Sequence, residues 1–319
     1  MKTIGSLLLV SAVTVAAPGH AQTFPSKPIT MIIPFPAGGR TDVIGRIFAQ
    51  SLQEALGKPV AVINKPGASS VLGSNEVSEA TPDGYTVGFF STAVVTAQYT
   101  VPTPLSLKSF DLVAIVNADP AALAVAENAP WKSLKDLVAD AKNKPGVFRL
   151  GMIPGASSQI FASGFTRAAG LDIVSVPFKG DTDGAIALAG HNIDVHFAVP
   201  VSYKSLVESK KVRILAVASD APSPVYGNLP TFKGNGVDLT VGAFHGIFVP
   251  TGTPPAVKQK LADGLKTAVE SPELKKRMED AGAAIVFLQG DEATSYLAKQ
   301  DETYRSIIEA LGLRVAATH

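Results

Sequence analysis

Residues 28–42 read PITMIIPFPAGGRTD. Ile29–Ile33 is a short apolar run suited to a buried strand, and Pro34, Pro36, Gly38 and Gly39 break it. Thr41 or Asp42 can then cap a helix, because Val43, Ile44, Ile47, Phe48, Leu52, Ala55 and Leu56 follow at helical spacing. A strand that feeds a Gly-rich turn into a helix leaves backbone N–H groups without partners at the turn. Those donors and the positive end of the helix dipole attract anions. Two glycines without side chains let a ligand approach the backbone. An ordinary βα loop has the same pattern, so the surroundings must decide between the two readings.

Residues 1–21 have the order of a secretory signal peptide: Lys2, an apolar stretch over Ile4–Ala17, then Gly19-His20-Ala21. The apolar stretch is interrupted by Ser6, Ser11 and Thr14 and is too short for a permanent span. An exported, periplasmic chain beginning at Gln22 is therefore expected. The remaining length suits two modest domains. The chain has no cysteine, which excludes disulfides, thiol catalysis and thiolate metal sites. Lys and Arg number 28 against 27 for Asp and Glu. This balance argues against a nucleic-acid or anionic-membrane surface.

Strand-like and helix-like segments alternate, which predicts an α/β fold with mainly parallel sheets. Expected strands are 29–33, 60–63, 85–90, 121–126, 148–152, 173–178, 193–199, 212–218, 244–249 and 285–288. Helices are expected over 70–79, 134–142, 159–169, 254–268, 272–281 and 291–310, with a short one from Ala185. Residues 222–236 are rich in Pro and Gly and read as a crossing segment. The order predicts a discontinuous first domain, 25–118 plus 240–319, and a second domain, 119–220, joined through residues 221–239. Two connections of this kind make a hinge over a central cleft.

Several segments together resemble one family. They are FPSKPITMIIPFPAGGRTD at 24–42, INKPGASSVLGSNEVSEATPDGYTVGF at 63–89, SLKDLVADAKNKPGVFRLG at 133–151, VPFKGDTDGAIALAGHNIDV at 176–195, VRILAVAS at 212–219 and GIFVPTGTPPAVKQKL at 246–261. The chain is similar along essentially its whole exported length to the Bug family of extracytoplasmic solute receptors, of the tripartite tricarboxylate transporter type. The resemblance implies a two-domain, Venus-flytrap, type II-like periplasmic-binding-protein fold. It implies capture of a small organic carboxylate by a monomer and delivery to membrane transporter subunits, without a cofactor or metal.

By that resemblance the ligand lies against the turn of Phe35, Ala37, Gly38, Gly39, Arg40, Thr41 and Asp42. Asp42 reads first as a cap for an orphan N–H and second as a contact. Arg40 reads equally as a bidentate grip on a second carboxylate or as a solvated charge. Ser91 and Thr92 either touch ligand or satisfy the end of a strand. On the facing domain the resemblance assigns Gly155, Ala156, Ser157 and Ser158 to a second clamp, and Phe178, Lys179, Gly180, Asp181 and Thr182 form a third candidate wall. Ala198 and Val199 stand where related receptors often carry a carboxylate or amide. Their apolar nature disfavours an amino acid and, with Arg40, favours a dicarboxylate with an apolar or aromatic body.

Catalytic signatures are missing from the sequence: it has no Walker loop, G-x-S-x-G elbow or H-E-x-x-H. His191, Asp194 and His196 cannot all share one face of a strand, and Asp181 and Asp183 read as turn residues. His245 reads as a core or hinge residue and Trp131 as a staple on the helix that follows it. An enzyme on this fold and a sensory receptor are the alternatives to a transport receptor.

Overall fold

The computed structural model describes residues 24–154, 157–222 and 226–315. The expected signal peptide lies outside them. Two β-sheets organise the chain. The first contains β1 (Ile29–Ile33), β2 (Val60–Asn64), β3 (Thr86–Ser91), β4 (Phe110–Pro120), β10 (Gly242–Pro250) and β11 (Ile285–Gln289), in the order β11-β4-β10-β3-β1-β2. The second contains β5 (Ala122–Ala126), β6 (Arg149–Met152), β7 (Val174–Pro177), β8 (Val195–Ala198) and β9 (Val212–Val217), in the order β7-β6-β8-β5-β9.

The sheets are mixed, which corrects the expectation of mainly parallel pairing. β1 is parallel to β2 and β3, and β6 to β7 and β8. These are the pairs joined by helical crossovers, which parallel strands need. β10 returns from the second sheet and inserts between β3 and β4, antiparallel to both. β11 pairs antiparallel with β4, and β5 with β8 and β9. β4 is the strand that the sequence reading lacks. It merges with β5 in one apolar run over 110–126, and only the switch of sheet between Pro120 and Ala122 separates the two.

Side-chain alternation sets the layers. Ile29, Met31 and Ile33 face a core shared with α1 (Arg40–Leu56), α8 (Pro255–Glu270) and α9 (Pro272–Asp280), whereas Ile32 points the other way. On that other face lie α2 (Val71–Ser78), α3 (Ala93–Thr100) and α10 (Gly290–Ala310). α1 buries Ile44, Phe48 and Leu52, as its spacing predicts, but leaves Val43 exposed. In the second lobe α4 (Leu134–Asn143) and α5 (Ser157–Ala169) cover one face of the sheet, and α6 (Asp181–Ala189) the other. A short helix at Pro200–Tyr203 and α7 (Lys204–Glu208) lead into β9. Ser133 caps α4 in a capping box with Asp136. Trp131 packs tilted against Phe148, at 5.2 Å between ring centroids, and donates to Asp140 at 2.9 Å.

One apolar cluster runs through both lobes. It joins Ile32, Phe90 and Phe244 of the first sheet to Leu150, Phe165 and Phe197 of the second. One junction between the lobes is α5 against α10. A Cβ on Gly164 would come within 2.9 Å of Ile307 Cδ1 and 3.2 Å of Leu239 Cδ1, so a larger residue there would make these side chains shift. Phe165 is fully buried beside it, 5.4 Å from Phe197 and 5.6 Å from Phe232.

Phe165→Ala should therefore lower the unfolding free energy by about 3–5 kcal/mol, the range for a large core truncation. The shared cluster also predicts a single transition. Fluorescence of Trp131, the one tryptophan of the chain, reports the second lobe. In urea it should coincide with circular dichroism, which reports both lobes. Separated transitions would show that the lobes do not share one core.

Candidate functional site

At the carboxyl end of β1 the chain turns through Pro34–Gly39. Gly38 has φ 80°, a conformation that favours glycine. Gly39 is extended and precedes α1 without a side-chain cap. Asp42, the third helical residue, reaches back to accept from the Gly38 N–H at 2.8 Å. Its carboxylate also accepts from Asn64 Nδ2 at 2.8 Å and from Arg46 Nε at 2.9 Å. Asn64 in turn donates to the Phe35 carbonyl at 3.0 Å and accepts from Arg46 Nη2 at 2.8 Å. Asp42 is thus a buried brace for the turn. Burial alone would raise its carboxyl, but Arg46, the Gly38 N–H and Asn64 outweigh that effect and hold it below the usual value.

This bracing leaves the other side of the turn open. Ala37, Gly38 and Gly39 are exposed and Phe35 is half-buried. The first-turn amides of α1, those of Arg40, Thr41 and Asp42, have no intrahelical acceptor. Together with the helix dipole they form a rigid anion-attracting surface at a sheet edge.

Arg40 is not a solvated charge. Its Nη2 meets Asp119 Oδ2 at 2.5 Å and the Gly282 carbonyl at 3.5 Å. Asp119 is buried at the end of β4 and also accepts from Asn117 Nδ2 at 3.2 Å, the Ala284 N–H at 3.0 Å and the Tyr226 hydroxyl. Burial, with the Asp119 charge and the bond to it, raises the Tyr226 hydroxyl well above its ordinary value. Asn117 donates to the Ala284 carbonyl at 2.6 Å, so its Oδ1 is free to accept from His245 Nδ1 at 2.6 Å. His245 Nε2 then accepts from the Thr41 hydroxyl at 3.2 Å. This assigns the Nδ1–H tautomer to a neutral ring. Burial lowers His245 to about 3 in agreement, against the smaller opposing effect of Asp119.

The remaining expected residues divide into open and committed groups. Ser91 is half-buried and accepts from Ala93 N at 3.3 Å. Thr92 is buried, and its hydroxyl accepts from Phe244 N at 2.9 Å, so it ties β3 to β10. That satisfies a strand end and leaves no face for ligand. Ser158 is buried and accepts from Ile153 N at 3.0 Å at the start of α5, beside half-buried Ser157. Gly155 and Ala156 lie outside the described residues. Lys179 and Thr182 are exposed, and Phe178 and Gly180 are half-buried before α6. Ala198 is buried against the α6 side of its sheet, and Val199 is buried beside it.

The sequence reading lacks Asn64, Arg46, Asn117, Asp119 and Tyr226, which support the site. A signal for two of them is present: Asn117 and Asp119 are polar residues two apart in an apolar run, hence on one face of a strand. His196 is buried and held by the Tyr203 hydroxyl at 2.9 Å, and burial lowers it to about 4. Among the described residues no cluster of three or more His, Asp or Glu side chains could hold a metal ion. None of their helices is long and apolar enough to cross a membrane.

Two lobes and a braced helix N-terminus at the end of a strand are parts that a solute receptor uses. Residues 44–313 match the family described as tripartite tricarboxylate transporter family receptor. The chain belongs to this receptor family. It is a family of substrate-binding receptors, not of enzymes. Protein BugT of Bordetella pertussis is 27% identical over 316 residues, covering 97% of this chain and 96% of BugT. A ligand-free TctC solute-binding protein from Polaromonas is 29% identical and superposes with a TM-score of 0.85, covering 90% of this chain and all of that one. Two Rhodopseudomonas palustris proteins share the fold at 23% identity. MatC, with bound malate, has a TM-score of 0.66 over 89% of this chain and 100% of its own. The second, Rpa4515 with adipate, has 0.69 over 91% and 98%.

The two buried histidines make stability depend on pH. An unfolded chain protonates both near the ordinary value of about 6.5, whereas the folded receptor keeps His196 neutral to about 4 and His245 to about 3. Their contribution is complete above about pH 6.5 and is lost as pH falls through the interval below it. The loss is about 1.4 kcal/mol per pH unit for each histidine. Urea unfolding of wild type and His245→Gln between pH 7 and 5 measures it. The variant should show a slope shallower by one proton, and parallel slopes would contradict the burial of a neutral His245.

Proposed function

We propose that this receptor is exported to the periplasm and captures a small organic carboxylate as a monomer. It then delivers the ligand to membrane subunits of a tripartite tricarboxylate-type transporter. The observation that carries the reading is the braced turn at Gly38–Asp42. It leaves Ala37, Gly38 and Gly39 exposed beside first-turn amides of α1 that have no intrahelical acceptor, while Asp42 and Asn64 hold it rigid, so little ordering is left to the moment of binding. The domain limits we propose are 25–118 with 240–319 and 119–220, since the strands change sheet between Pro120 and Ala122 and again between Val217 and Gly242. The TM-score of 0.85 against a ligand-free relative supports reading this arrangement as the unliganded one.

A dicarboxylate remains the favoured ligand, on altered grounds. Arg40 already has a carboxylate partner in Asp119, so it is a weak candidate for a second ligand carboxylate. The N-terminus of α5 on the second lobe, with Ser157, offers instead a second helix dipole to hold an anion. Malate in MatC and adipate in Rpa4515 are dicarboxylates, in keeping with this choice. A body with apolar character fits walls that include Phe35 and Phe178, both half-buried.

A thermal-shift screen of mono- and dicarboxylates, followed by calorimetry, tests the proposal. A dicarboxylate at one hundred times its Kd should add about 2.7 kcal/mol to the unfolding free energy. Its half-ester should bind about tenfold more weakly, the low end for one charge-assisted hydrogen bond. Mass spectrometry should recover the ligand unchanged, and small-angle scattering should show a smaller radius of gyration with ligand. If no carboxylate stabilises the protein, the ligand class is wrong.

A further inference from the structure

Two buried polar atoms without partners sit on opposite lobes. Arg40 Nε, on the first lobe, has no hydrogen-bond acceptor, and Asp181 Oδ1, at the start of α6 on the second, has no donor. A continuous path of contacts links them. Arg40 Nη2 reaches the Gly282 carbonyl at 3.5 Å. Gly282 abuts Val201 of the second lobe so closely that a Cβ there would fall 2.1 Å from Val201 Cγ2. Ser202, the next residue, hydrogen-bonds the Asp181 carboxylate. Burial raises Asp181 above its ordinary value, and Arg40 is near enough to act against that shift.

Asp119 already has four donors, so it needs nothing more from Arg40 than the bond at Nη2. Among the described residues Asp181 has no ion-pair partner within 4.0 Å. A half-buried carboxylate in this state gains from a cation brought into contact. Guanidinium suits the role, because its donors are spread over a planar fork and can serve two carboxylates at once.

We propose that Asp181 is the second-lobe partner of Arg40: when the lobes close, its free oxygen takes the Nε–H, and Arg40 spans one carboxylate in each lobe. The proposal rests on the reading of the protein as a receptor that closes. In it Arg40 and Asp181 are positioning residues that set the closed fraction, and through that fraction the apparent affinity for any ligand.

The absence of cysteine from the chain allows a direct test. Leu72 on α2 and Ile186 on α6 are exposed, at 59% and 60%, and lie on different lobes. With Leu72→Cys and Ile186→Cys labelled by nitroxides, pulsed dipolar spectroscopy without ligand gives the inter-lobe distance distribution. The parent should show a short-distance population, and Asp181→Asn should deplete it several-fold. Arg40→Lys keeps a cation for Asp119 but loses Nε, so it should deplete the population similarly. The double variant should go no further than either single one. Asp181→Glu should retain most of it. An Asp181→Asn distribution unchanged from the parent overturns the proposal, and this includes a parent with no short-distance population. Additive effects in the double variant overturn it as well. Calorimetry of adipate on the same proteins separates the two readings, because failure to bind adipate bears on ligand class and leaves the distances unaffected.

Discussion

A buried carboxylate needs several donors or it destabilises the fold, and Asp119 obtains them from four parts of the chain. Arg40 comes from the head of α1, Asn117 from the same strand, the Ala284 amide from the turn before β11 and Tyr226 from the segment that returns from the second lobe. The strand that carries Asp119 is about to leave the first sheet for the second. One charge therefore fixes the base of the crossing, the entry of the returning segment and the side chain beside the anion-attracting turn. Removing any one donor leaves the others around an under-satisfied charge, so the group acts as a unit.

From Asp119 the polar order continues through Asn117 and His245 to the hydroxyl of Thr41. Only the backbone of Thr41 is left for the cleft. The same division recurs at Thr92 and Ser158, whose hydroxyls serve their own lobes. The side-chain hydroxyls of Thr41, Thr92 and Ser158 thus build the scaffold. Amides of a helix terminus hold an anion without long flexible side chains to order, which suits a receptor that must both bind and release. Receptors of one family can then differ in ligand by changing the few residues that line the rest of the cleft.

The lobes combine two kinds of contact. α5 and α10 pack through Gly164 and share an apolar cluster, which cannot slide far without opening voids. The contact of Gly282 with Val201 adjoins charged groups, the Arg40–Asp119 pair among them. The apolar junction thus welds the lobes, and the second brings Val201 of one lobe against Gly282 of the other. The C-terminal helix α10 is part of that weld, although the chain reaches it only after both crossings between sheets.

Most elements and the family were legible in the sequence because they rest on local signals. The apolar run 29–33, the breakers after it and the spacing of Ile44, Phe48 and Leu52 specify a strand, turn and helix without reference to the rest of the chain. The capping box of α4 is equally local. Strand direction was not legible, since β10 has the same composition whether it runs parallel or antiparallel to β3. The split of the run 110–126 into β4 and β5 depends on which sheet each half joins, and apolar pattern alone cannot mark it. The candidate turn at Gly38–Asp42 was readable as an anion site. The partners of its side chains were not: Arg40 meets Asp119, 79 positions away, and Thr41 meets His245, 204 away. Composition determined that Arg40 is a cation, and tertiary structure decided what it neutralises, because only folding brings a buried carboxylate to the end of its reach.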